Sequence, residues 1–138
     1  MKKVRILVID DDAVACEFLQ EALLRDGYEV EAFTSARRAL EADLAGYDML
    51  LSDIRMPDMD GLQFLGEVNR KWPQLPVILM TAFGSLETTM EALRLGAWDY
   101  ISKPFSPEAI RAMVRKGLEV RDFQQHWIQG QPENPQES

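Results

Sequence analysis

The chain predicts an α/β fold with a five-stranded parallel sheet and five helices. Short apolar, β-branched runs alternate along it with stretches whose apolar residues fall at helical spacing, the pattern of strand–helix units joined by crossovers. The first run (VRILVI) is nearly continuous, which suits a strand buried on both faces, whereas residues 29–33 alternate in strand fashion. At 138 residues and 46% apolar content, the chain suits one domain with a real core. No internal repeat interrupts this pattern.

Residues 4–9 (VRILVI) are the first strand. Residues 13–26 follow as a helix with Val14, Phe18 and Ala22, and Leu19 and Leu23, at helical spacing; Gly27 takes the C-cap position. Residues 29–33 are the second strand, and residues 35–45 a helix with Thr34 or Ser35 as N-cap. Residues 49–52 form the third strand. A loop over 54–60, containing Pro57, leads to a helix over 61–72, and Pro73 and Pro76 frame the next turn. Residues 77–80 (VILM) are the fourth strand; Ser85 caps a helix over 86–95, and Gly96 ends it. Residues 98–102 are a partly polar fifth strand, placed near an edge. Ser106, Pro107 and Glu108 open a last helix, with Pro at the first helical position, that runs to about residue 128. Residues 129–138 (QGQPENPQES) lack large apolar side chains and read as a disordered tail. The expected organisation is a domain over residues 1–122 and a helical extension with a tail over 123–138.

Composition narrows the function classes. Lys and Arg number 15 against 23 Asp and Glu, a net charge of −8. That balance argues against direct nucleic-acid contact and against docking on anionic lipid. No apolar run approaches the ~20 residues that cross a bilayer. The first apolar run ends in three Asp, unlike a secretory signal, so a cytoplasmic location is expected. The single cysteine, Cys16, excludes an internal disulfide and a multi-cysteine zinc site.

In parallel α/β sheets, ligands bind beyond the carboxyl ends of the strands. The residues there are Asp10, Asp11 and Asp12 after strand one, Asp53 after strand three, Thr81 after strand four and Lys103 after strand five. If strand one lies centrally beside strand three, several carboxylates meet a hydroxyl and an ammonium. Clustered ionised carboxylates need a cation to offset them. Oxygen-only donors select a hard cation such as Mg²⁺, which keeps few protein ligands and commonly shares phosphate as another. An Asp can itself accept a phosphoryl group. The expected chemistry is Mg²⁺-assisted phosphoryl transfer onto a carboxylate.

These residues resemble a known family. Asp10-Asp11, then Asp53-Ile54-Arg55-Met56-Pro57 followed by Gly61, then Thr81-Ala82, then Lys103-Pro104-Phe105 match the receiver domain of two-component response regulators in type, order and spacing. The strings SDIRMPDMDG, MTA and GAWDYISKPF look most like receivers of the nitrogen-regulation, sigma-54-activator type. The resemblance covers roughly residues 4–122 and implies a flavodoxin-like, doubly wound sheet of order 2-1-3-4-5. It implies that Asp53 is the phosphoacceptor. Asp10, Asp11, Asp53 and the backbone carbonyl of Arg55 would hold Mg²⁺, with Asp12 at a variable position. Thr81 and Lys103 would contact the phosphoryl group, a cis Lys103–Pro104 bond would aim the lysine, and Tyr100 would be the aromatic switch residue. The implied partners are a sensor histidine kinase and a second copy, the latter through the helix 4–strand 5–helix 5 face or the C-terminal helix. The implied domain modifies only itself and turns over no separate substrate, and no DNA-binding or ATPase motif appears in its 138 residues.

Plainer readings stand beside these. Three Asp before a helix also serve as an N-cap with favourable dipole charge. Thr81 serves equally as a strand-end hydroxyl, Tyr100 as a half-buried strand aromatic, Cys16 as a small helix residue and His126 as a surface residue. Asp10-x-Asp12-x-Val14 resembles the first motif of haloacid-dehalogenase-type phosphatases, a rival that leaves Asp53 and Met56-Pro57 unexplained. A purely structural interaction module is a third reading. Counting Asp12 with Asp10, Asp11 and Asp53 against Lys103 places part of the net charge in one pocket and leaves the rest on the surface.

Beyond the stripe of Ile110, Met113, Val114 and Leu118, the residues Val120, Phe123 and Trp127 lie three and four apart. They read either as a dimerising linker or as a helix end folded back on the domain. Arg55 and Phe83 stand two residues after the phosphoacceptor and two after the switch threonine. In the family, these positions border the path of the hydrolytic water. Phe83→Ala is therefore expected to speed phosphoryl loss severalfold, measured as the decay of labelled protein after donor removal; an unchanged decay rate overturns that role.

Overall fold

The computed structural model describes residues 3–82 and 86–130, and the side chains of residues 86 and 125–130 fall outside it. Five strands alternate with helices. They are β1 (Arg5–Ile9), β2 (Glu29–Phe33), β3 (Met49–Asp53), β4 (Val77–Thr81) and β5 (Asp99–Ser102). The helices are α1 (Ala13–Leu24), α2 (Ala36–Glu41), α3 (Gly61–Lys71), α4 (Leu86–Arg94) and α5 (Pro107–Gly130), with a 3-10 turn over Leu44–Gly46. All strand pairs are parallel and the order is β2-β1-β3-β4-β5, as expected from the sequence.

Strand side chains alternate between two cores. Ile6, Val8, Met49, Leu51, Ile78, Met80 and Ile101 pack with α1 and α5 on one face. Leu7, Ile9, Leu50, Val77 and Leu79 pack with α2, α3 and α4 on the other. Burial on both faces explains why the inner strands read as unbroken apolar runs. β5 has one neighbour in the sheet and a mixed burial pattern, in keeping with its expected edge position.

Element boundaries differ from expectation where polar side chains compete with the backbone. The helix expected over 35–45 ends at Glu41, because Ala42 is extended (φ −82°, ψ 161°) and Asp43 caps a new turn by accepting from the Ala45 N–H. Ser35, one of the two expected caps, accepts from the Arg38 N–H at 3.2 Å. Gly27 follows α1 at φ +86°, a conformation that side-chain-bearing residues rarely adopt. β3 and β4 each run one residue further than expected, to Asp53 and Thr81, so both site residues are strand ends rather than loop residues. α5 passes through residues 122 and 123 without a break and reaches Gly130, into the stretch expected to be tail. Residues 131–138 and the expected cap Ser85 lie outside the described residues.

The loop from β3 to α3 folds tightly on itself. Gly61 N–H donates to the Ile54 carbonyl at 3.0 Å. A Cβ at Gly61 would lie 2.3 Å from that carbonyl oxygen, a backbone atom that cannot swing aside. Gly61→Ala is expected to destabilise the fold by about 1–3 kcal/mol, the range for overpacking, read by urea unfolding.

Candidate phosphoacceptor and metal site

Parallel pairing brings every strand's carboxyl end to one edge of the sheet. Asp10 N–H donates to the Phe33 carbonyl at 3.2 Å, Ile54 N–H to Met80 at 2.9 Å and Lys103 N–H to Thr81 at 2.7 Å. These ladder-end bonds fix Asp10, Asp53, Thr81 and Lys103 at the carboxyl ends of adjacent strands β1, β3, β4 and β5.

There the side chains converge. Carboxylate oxygens of Asp10, Asp11 and Asp53 lie within 4.8 Å of one another. Asp10 is fully buried, Asp53 is 8% exposed, and Asp11 is at the surface. The Lys103 ammonium donates to Asp10 Oδ2 at 2.8 Å and to Asp53 Oδ2 at 3.2 Å. The Lys103–Pro104 peptide bond is cis. Arg55 N–H donates to Asp53 Oδ1 at 3.2 Å, so the start of the 54–60 loop turns around the Asp53 carboxylate. A cleft lined by Asp11, Ile54, Arg55, Met56, Pro57 and Asp60 opens beside the cluster.

The electrostatics are strained. Burial pushes the Asp53 carboxyl above its ordinary pKa and the Asp10 charge adds to the rise, while the Arg55 N–H and Lys103 pull the other way. Burial acts to lower the Lys103 pKa, yet bonding to Asp10 and the two carboxylate charges outweigh it and raise the ammonium's pKa. Two carboxylates, Asp10 and Asp53, thus share the Lys103 ammonium. Among the described residues, Thr81 Oγ1 is a buried side-chain oxygen without a hydrogen-bond partner, a state that costs roughly 1–3 kcal/mol. An all-oxygen donor set with surplus negative charge fits a hard divalent cation such as Mg²⁺.

Asp12 stands apart. It caps α1, accepting from Val14 N–H at 3.0 Å, and its own N–H donates to Asp10 Oδ1 at 3.0 Å. The cap reading therefore describes Asp12, while Asp10 and Asp11 face the cluster, and Asp12 leaves the pocket's charge count. Tyr100 lies on β5, exposed at 38%. Phe83 lies outside the described residues, as do the side chains of His126 and Trp127.

Two partners of the site carried no sequence signal. The Cys16 thiol, buried in α1, donates to the Asp10 carbonyl at 3.3 Å, a backbone contact that residue type does not announce. Asp58 in the 54–60 loop accepts from Ser35 and the first turn of α2, 21–23 residues away in sequence. Its neighbour Asp60 caps α3 through Leu62 N–H at 2.9 Å.

Comparison with known proteins agrees with this geometry. Residues 6–115 match the family described as the response regulator receiver domain. The chain is 43% identical over 114 residues to the transcriptional regulatory protein ZraR of Escherichia coli K12, covering 82% of this chain and 26% of ZraR, so it spans about a quarter of that relative. Among solved structures, a CheY-like receiver domain protein from Methanospirillum hungatei JF-1 superposes with a TM-score of 0.83 at 29% identity, covering 89% of this chain and 99% of that one. The beryllofluoride-activated NtrC4 receiver domain dimer superposes with a TM-score of 0.80 at 29% identity, covering 85% and 98%. With its sheet order, its acidic strand-end cluster and this match over most of its length, the chain belongs to the response regulator receiver domain family.

Proposed function

We propose that this receiver domain, over residues 1–122, accepts a phosphoryl group on Asp53 from the phosphohistidine of a sensor kinase. One Asp53 carboxylate oxygen attacks phosphorus, the phosphorus–nitrogen bond breaks, and the leaving imidazole takes up a proton. The observation that carries this reading is the convergence on Asp53 of the Lys103 ammonium and two further carboxylates, with the partnerless Thr81 hydroxyl at the end of the adjacent strand.

The roles follow from chemistry. Asp10, Asp11, Asp53 and the Arg55 backbone carbonyl would hold Mg²⁺, which when bound supplies charge neutralisation for the transferring oxygens. Lys103 pairs with phosphoryl oxygen as Asp53 changes from carboxylate to acyl phosphate. Thr81 Oγ–H gains the acceptor it lacks. Its movement biases the packing of Tyr100 and of the face formed by α4, β5 and α5, a population shift between two arrangements. Met90, Leu93 and Tyr100 are exposed on those elements, and a second copy is the occupant we assign, through this face or through α5 beyond residue 122, where Phe123 is 67% exposed. Residues 123–138 act as the extension to an output function in a transcriptional activator. No helix among the described residues is long and apolar enough to cross a membrane, and we place the protein in the cytoplasm. The domain modifies itself and has no separate substrate.

A small phosphodonor such as acetyl phosphate with Mg²⁺ is expected to place stable label on Asp53, lost in Asp53→Asn and absent with chelator. Sedimentation of the same labelled protein is expected to show a shift in the monomer–dimer balance. Label on Asp10, or rapid multiple turnover, overturns the reading. Lys103→Met is expected to move the Asp53 titration to higher pH, because the Asp10 and burial effects then act without an opposing ammonium. The destabilisation is full where both carboxylates are ionised and is relieved as pH falls through the raised Asp53 pKa. Carboxyl-carbon NMR titration with parallel unfolding curves reads both.

A further inference from the structure

The 54–60 loop carries the Arg55 carbonyl near its start and Asp58 three residues further on. Asp58 is tied away from the pocket. Its Oδ2 accepts from Ser35 Oγ–H at 2.7 Å and from Arg37 N–H at 3.1 Å, and its Oδ1 lies 3.4 Å from the Ala36 N–H donor. Ser35 is a relay, since its Oγ also accepts from Arg38 N–H and so caps α2. Between the ends, Met56 is buried against the core on the α2 side, and Ile54 is pinned by the Met80 carbonyl and the Gly61 N–H. The hydrogen bond from Ser35 Oγ–H, with those from the Arg37 and Ala36 N–H groups, holds the Asp58 carboxyl below its ordinary pKa, so it stays charged at neutral pH. A charged acceptor of several donors makes stronger bonds than a neutral one.

Resting on the Mg²⁺ reading above, we infer that Asp58 is a positioning residue for the cation site. It fixes the 54–60 loop to α2, so that order in the first turn of α2 and cation binding at Asp10, Asp11 and Asp53 are thermodynamically coupled. Coupling is reciprocal: whatever Asp58 contributes to cation affinity, the cation returns to α2 as protection.

The test uses the whole 138-residue chain and Mg²⁺ alone. Calorimetry gives the Mg²⁺ affinity, and NMR amide exchange with and without Mg²⁺ gives protection at Arg37 and Arg38. Wild type is expected to bind Mg²⁺ and to slow exchange at both amides on binding. Asp58→Ala is expected to weaken Mg²⁺ binding about fivefold, the low end of usual coupling, and to abolish the Mg²⁺-dependent protection. In acetyl phosphate labelling, the loss appears in the Mg²⁺ concentration giving half-maximal rate, not in the rate at saturation. Ser35→Thr keeps a hydroxyl and is expected to retain the coupling. If Asp58→Ala fails to fold, Asp58→Asn, which keeps one acceptor oxygen without the charge, is read against the same expectations. Equal affinity in wild type and variant, or wild-type amides indifferent to Mg²⁺, overturns the inference while leaving the site reading intact. A wild type that binds no Mg²⁺ overturns both.

Discussion

The site depends on one ammonium placed between two carboxylates. Lys103 follows the last strand, Asp10 the first and Asp53 ends the third, so the group that balances the pocket arrives from 93 and 50 residues away. The order β2-β1-β3-β4-β5 sets β1 and β3 side by side, with β5 two strands beyond β3. The balance is incomplete by design of the donor set: a buried carboxyl is held above its ordinary pKa beside another carboxylate, which is stable enough to fold and charged enough to seek a further cation. A buried charge deprived of its partner costs more than the pair contributes, which makes the lysine hard to replace even by a residue of similar shape.

Much of this was legible in the sequence because the fold writes it locally. Strands buried on both faces must be unbroken apolar runs, and ligand chemistry must follow them. Asp10, Asp53, Thr81 and Lys103 therefore stand at countable positions. The same logic left Asp12 open between pocket and helix cap, since a run of three identical residues does not say which one turns back to cap the helix. It also carried α2 too far, because Asp43 reads as an ordinary helix residue until its side chain captures the Ala45 N–H. Asp58 was the least legible. Its donors lie on another element, and the pairing exists only once the 54–60 loop is laid across the sheet edge.

The two cores serve the site differently. Leu7, Ile9, Leu50 and Leu79 pack on the side of α2, α3 and α4, where the loop holding Arg55 and Asp58 is also anchored. α1 and α5 close the other side through Cys16, Val114 and Leu118. At the far end of the sheet, Asp48 accepts from both Arg5 N–H and Arg121, which ties the outgoing helix to the start of β1 and β3. The edge that holds Asp10, Asp53 and Lys103 and the exit of α5 thus lie at opposite ends of the sheet, and strands of four or five residues separate them.

The chain distance between Lys103 and its two carboxylates has a consequence during synthesis. A nascent chain emerges from its amino end, so the acidic half of the pocket leaves the ribosome long before the cation that balances it. Until the edge strand docks, Asp10 and Asp53 gain nothing from being enclosed together. β5 is the last of the five strands to be made, so the pairing of Lys103 with Asp10 and Asp53 waits for it.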